Sequence, residues 1–140
     1  MTIQEEKRSG RHWPNKIFTF VAEDVELERW PDFSDTEIVE GVGENYGRVL
    51  YRDQRGRVSF GVWECPPSMF DLDYGPMTES IQCVKGRATL TNLSTGEQFE
   101  LTPGVRTVLP VGTKVRWHIH EEFRKSYSVY EAEWDEDRYY

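Results

Sequence analysis

The sequence predicts an all-β domain, a sandwich or a closed barrel, on three observations. Short stretches rich in β-branched and aromatic residues recur along the chain with glycine and proline between them, about ten in all. Almost nothing carries a helical period. Turn chemistry is concentrated at Gly86, Pro103-Gly104 and Pro110-Val111-Gly112. Proline presets φ for the first central position of a turn, and glycine supplies the unusual φ that follows it. At 140 residues the chain is sized for one domain, which buries about two-thirds of the surface its unfolded form exposes.

In order, residues 1–15 are polar and charged, broken by Gly10 and Pro14, and read as a flexible arm with Trp13 as its one apolar anchor. The main domain is expected over 16–132. It opens with a strand at Lys16–Ala22, at a sheet edge or between subunits. Glu23 to Glu44, with Pro31 inside it, reads as irregular structure with room for a helical turn. A hairpin follows: strand Tyr46–Tyr51, turn Asp53-Gln54-Arg55-Gly56, strand Arg57–Cys65. Along the latter, Val58, Phe60 and Val62 share one face and form the expected core side, with Ser59, Gly61 and Trp63 opposite.

Pro66-Pro67 stops that strand, and the stretch to Met77, with Phe70, Tyr74 and Gly75, is expected as a loop on a pocket rim. Ser80–Val84 is a strand opened by Glu79 and closed by Gly86. Arg87–Asn92, Glu97–Leu101, Arg106–Leu109, Lys114–His120 and Arg124–Ala132 complete the set, and 133–140 is an acidic tail.

A net charge of −8, from 25 acids against 17 bases, disfavours nucleic acid and anionic membranes as partners. No segment approaches the roughly 20 apolar residues of a membrane span. Two cysteines, Cys65 and Cys83, are too few for a disulfide scaffold, and no secretory segment follows Met1, so a cytoplasmic protein with reduced thiols is expected. Aromatic residues make up 14% of the chain, more than a core of this size needs. The surplus points to an aromatic-lined pocket or a subunit interface.

Glu79, six residues, then Gly86, followed by Gly104, five residues, then Pro110-Val111-Gly112, resembles the two motifs of the cupin β-barrel family. More narrowly, Gly61-Val62-Trp63-Glu64-Cys65, Phe70, Tyr74, Gly86 to Thr91 and Pro110 to Lys114 with Trp117 are similar to the small single-domain cupins grouped with ureidoglycine aminohydrolase. The resemblance, over roughly Phe18 to Tyr130, implies a jelly-roll barrel and a homodimer. It also implies a divalent metal held by three histidines and a glutamate. Only Glu79 stands where such a ligand belongs. Leu72-Asp73-Tyr74-Gly75 occupies the place of the histidine pair, and Val115 that of the last histidine. Asp73, Tyr74 and Glu79 form one alternative ligand set, and His118 with His120 another. The expected site therefore contains no conventional metal, and its cofactor is undetermined.

If Val115 faces inward as its family counterpart does, strand parity sends Trp117 and Ile119 inward and both histidines outward. It likewise directs Glu79, Ile81 and Cys83 inward. Desolvation of Glu79 in an apolar barrel would suit it to acid–base work. The bland alternative is an ion pair with Lys114, Arg116 or Lys125. Lys125 and Tyr127 share a face, the lysine serving as a base or anion anchor, or else lying on the surface. Trp63, Phe70, Ile81, Cys83, Trp117 and Tyr127 are the candidate lining, although large aromatics are more often plain packing. Two readings result. One is an enzyme doing isomerisation, elimination or hydrolysis on a small polar metabolite, with Glu79 as the acid–base group and Tyr74 and Lys125 positioning the substrate. The other is a non-catalytic binding barrel. Two or more ionisable groups within hydrogen-bond reach inside the barrel would favour the first.

Overall fold

The computed structural model describes residues 15–131. A 3-10 turn, Ala22–Asp24, precedes nine strands: β1 Glu28–Arg29, β2 Ile38–Glu40, β3 Tyr46–Arg52, β4 Val58–Cys65, β5 Ser68–Asp73, β6 Met77–Asn92, β7 Gln98–Leu101, β8 Arg106–Leu109 and β9 Lys114–Glu131. All belong to one antiparallel sheet that curls into a barrel.

Two long strands make the curl. β6 and β9 pair from Met77↔Glu131 to Asn92↔Val115, with register shifts between Cys83 and Ala88. On one side of that irregularity β9 pairs with β4, and on the other with β5. β6 likewise passes from β8 to β7. Each long strand thus serves two walls. The sequence reading divided both, at Gly86 and between His120 and Arg124. Gly86 does take φ +85°, but its backbone packs on the Glu122 carbonyl, where any Cβ would collide. The chain bends there and continues, as a bulged strand does.

Three further expectations fail. Lys16–Ala22 forms no strand. Ile17 is 96% exposed, and the chain turns away at Ala22–Asp24, held by the Arg124 side chain. The stretch after Pro66-Pro67 is a strand instead of a loop. The prolines end β4, but β5 starts at Ser68, and its period of two sends Phe70 inward while Asp71 pairs outward with Arg116. On β4 the barrel face is Ser59, Gly61, Trp63 and Cys65. Val58 and Phe60 lie half-buried outside, where Phe60 meets Tyr51. Val62, on that outer side, is nonetheless fully covered.

The core expectations on β6 and β9 agree with the structure. Ile81 and Cys83 are buried, as are Val115, Trp117 and Ile119, while His118 and His120 lie outside. Trp117, Phe70 and Phe123 are the largest fully enclosed side chains. Truncating a buried aromatic of this kind to alanine costs about 3–5 kcal/mol. Outside the described residues lie the acidic tail and, apart from Asn15, the N-terminal arm. No helix among the described residues is long and apolar enough to cross a membrane.

Candidate functional site

The barrel holds a cavity of about 300 Å³, and its deep end is polar. Tyr74, just after β5, donates its hydroxyl to Glu79 Oε1 at 2.6 Å, and Lys125 Nζ donates to Glu79 Oε2 at 2.7 Å. Glu79 enters from β6 and Lys125 from β9, so three separated parts of the chain meet in one hydrogen-bonded run. The Lys125 and Glu79 side chains are only 10% and 7% exposed. Burial is thus only half of the Glu79 environment: both oxygens have donors in place of water.

Aromatic faces enclose the ammonium. Lys125 Nζ lies 4.7 Å from the Trp63 ring centroid, 4.8 Å from that of Trp117 and 5.9 Å from that of Tyr127, distances at which ring quadrupoles attract a cation. Phe70 stacks on Trp117 and on Phe33, which closes the wall from the segment before β2. Tyr127 gains its room from Gly61 opposite, since a Cβ there would strike the Arg48 carbonyl and lie 2.6 Å from the Tyr127 hydroxyl.

The Tyr74 phenol is pushed well above its ordinary range of 10, first by burial, then by the Glu79 charge and hydrogen bond. The Trp117 indole N–H favours the phenolate slightly, but it is not in hydrogen-bond geometry and has no partner. Tyr74 is therefore a permanent donor.

Of the residues singled out from sequence, Glu79, Tyr74, Lys125, Trp63, Phe70, Trp117 and Tyr127 all line the cavity. Ile81 and Cys83 do not. Both sit in the packed core, and burial pushes the Cys83 thiol up to about 11, far from a nucleophile's range. Lys125 is buried, which removes the surface reading, and of the ion pairs considered for Glu79 the one formed is with Lys125. Trp30, Phe33, Leu72, Met77 and Arg57 also line the cavity and were missed. Leu72 was legible, two residues from both Phe70 and Tyr74, once that stretch is read as a strand.

The donor set does not fit the family's metal. Lys125 already places a cation on Glu79, Val115 is apolar and buried, and Asp73 is exposed, accepting from the Gly75 amide at 2.9 Å. His118 and His120, ring centroids 4.0 Å apart, lie outside the barrel. His120 Nε2 is 2.7 Å from Thr89 Oγ1, which donates to Glu100. Among the described residues no three His, Cys, Asp or Glu side chains converge.

A family model described as an EutQ-like cupin domain matches residues 52–127. No curated protein matches the chain. Among solved structures, a protein of unknown function from Pseudomonas syringae pv. tomato aligns with TM-score 0.69 at 18% identity, over 76% of this chain and 45% of its own. The EutQ protein of Clostridium difficile aligns with TM-score 0.56 at 21% identity, over 65% of each chain. The ectoine synthase of P. lautus aligns with TM-score 0.56 at 17% identity, over 71% of this chain and 68% of its own. The chain thus spans less than two-thirds of the first two, and at these identities the likeness is one of fold.

Proposed function

From the premise that the chain belongs to the EutQ-like cupin domain family, we propose that it is an enzyme doing metal-independent acid–base chemistry on a small polar metabolite in the barrel. The observation that carries this is the Tyr74–Glu79–Lys125 run at the base of an aromatic cavity. A binding barrel needs one or two anchors. Three ionisable groups in mutual contact, beside space for a ligand, are what proton transfer requires.

The roles follow from the chemistry of each group. Glu79 is the one acceptor of protons in the run, and exchanging one of its hydrogen bonds for a substrate C–H or N–H makes it the base. Lys125 has three donors, one of them on Glu79, and the others can stabilise an oxyanion developing on a carbonyl. Tyr74 holds the carboxylate in position. Trp63, Phe70 and Trp117 exclude water, which strengthens each of these interactions. The narrower likeness to the ureidoglycine aminohydrolase group supports a nitrogenous or carbonyl-bearing substrate. That group's own activity is not transferred, because the histidine ligands are absent from the motif positions.

The test is incubation with pools of small carbonyl and amino metabolites in deuterium oxide, read by proton NMR. Wild-type protein is expected to convert or deuterate one of them, with Glu79→Gln slower by about 100-fold or more. Conversion by Glu79→Gln at the wild-type rate would overturn the assignment. Tight binding without any conversion would favour the non-catalytic barrel.

A further inference from the structure

Arg52 is the one arginine among the described residues that is both buried and without an acceptor. It is 4% exposed, and its Nε and Nη2 are closed to solvent with no hydrogen-bond partner. A guanidinium carries five donors and is always charged, so leaving it desolvated and unpaired is among the costlier arrangements a fold can keep. The contrast with Arg116 and Arg124, each held by a carboxylate, is plain.

Its position says what it faces. Arg52 is directly opposite Ser59, Ser59 opposite Val129, and Val129 opposite Glu79. Residues opposed across an antiparallel pair point to the same side, and Ser59, Val129 and Glu79 all line the cavity. Arg52 therefore ends a cross-strand row whose other end is the proposed base. Three strand spacings of about 4.8 Å separate their backbones, roughly 14 Å along the curved wall. Long side chains at both ends shorten the gap to the length of a small metabolite. The other buried side-chain atom left unpartnered among the described residues is Trp117 Nε1, also a donor. The surplus is of donors only, and its complement is a ligand rich in acceptors.

We infer that Arg52 is the anion anchor of this cavity, and that the ligand is a small acid whose carboxylate or phosphate pairs with Arg52 while its reactive end meets Glu79, Tyr74 and Lys125. The inference rests on the catalytic reading above only for what happens at the Glu79 end. The anchor itself is a matter of binding.

The test uses the full chain with inorganic phosphate, acetate and succinate as probes and succinamide as the neutral control. Arginine Nε–Hε NMR cross-peaks are followed, with the Arg52 peak assigned by its loss in Arg52→Lys. Phosphate or succinate is expected to move that peak, and succinamide to leave it. Because the ligand-free guanidinium is unpaired, Arg52→Gln is expected to raise the melting temperature of the free protein by about 3 °C. The same variant should weaken the anion about thirtyfold or more. An unmoved Arg52 peak, or a lower melting temperature in Arg52→Gln, overturns the anchor. A carboxylate from the chain's own 133–137 stretch, which follows the cavity-lining Glu131, has the same chemistry. If it fills the Arg52 site, converting its four acids to amides raises the affinity for phosphate several-fold, and the small-acid proposal falls. An unchanged affinity supports the free ligand. Arg52-dependent anion binding together with wild-type turnover in Glu79→Gln would overturn the catalytic reading and leave the anchor standing.

Discussion

Arg124 and Lys125 are neighbours in sequence, point to opposite sides of β9, and each meets a carboxylate from another strand, yet they do different things. Outside the barrel, Arg124 Nε bonds Glu64 at 2.9 Å while its Nη1 reaches the carbonyls of Ala22, Glu23 and Val25, and Lys85 shares the same carboxylate at 3.1 Å. Burial acts to raise the Glu64 carboxyl, and Arg124 and Lys85 outweigh it, leaving it below its ordinary 4.5. That cluster is saturated and holds the 22–25 turn on the barrel. Inside, Lys125 has one carboxylate, aromatic faces and open space beside it. A satisfied ion pair is a fastener. A pair with unused donors at a cavity is equipped to act on something else.

The sharpest way to break this contrast is Lys125→Met. It leaves Glu79 buried without its cation and should cost about 3–5 kcal/mol in urea unfolding, with Glu79→Met/Lys125→Met recovering most of it. A loss below about 1 kcal/mol would mean that water reaches the inner pair as it reaches a surface one. Arg124→Gln is the outer counterpart, with a smaller expected loss of about 1–3 kcal/mol. Faster amide exchange at Asp24, whose N–H bonds the Val21 carbonyl, should accompany it. Unchanged exchange there would remove the fastener role.

The smallest effect concerns alkaline pH. A folded-state value raised for Tyr74 contributes stability that is fully present below the unfolded value near 10 and is lost as pH rises towards the folded one. Wild-type protein should therefore lose stability above pH 10 more steeply than Tyr74→Phe, as read by unfolding midpoints along that limb. Parallel curves would show that the phenol is not held neutral.

Much of the site was legible because strand parity is rigid: once Glu79 and Trp117 were set inward, Ile81, Cys83, Lys125 and Tyr127 followed. The errors have local causes. Two prolines concealed β5, since a stop signal says nothing of how soon the next strand starts. The β4 face was misassigned because Val58 and Phe60 are the apolar members, while the barrel side is built from Ser59 and Gly61 beneath the large Tyr127 ring. Trp30 and Phe33 close the wall from a segment with no period to read. Arg52 gave no signal at all, because a charged residue at a strand end before a turn is normally solvated.

The Gly61 contact also bears on how this barrel could diversify. The cavity's capacity is recorded in a position that contributes no side chain, on the wall behind Tyr127. Every other amino acid there would drive the phenol into the space the metabolite needs, so one glycine codon sets the upper size of what the barrel admits. Descendants of this chain could change selectivity with the reacting groups untouched, by a substitution that no inventory of ligand contacts would include.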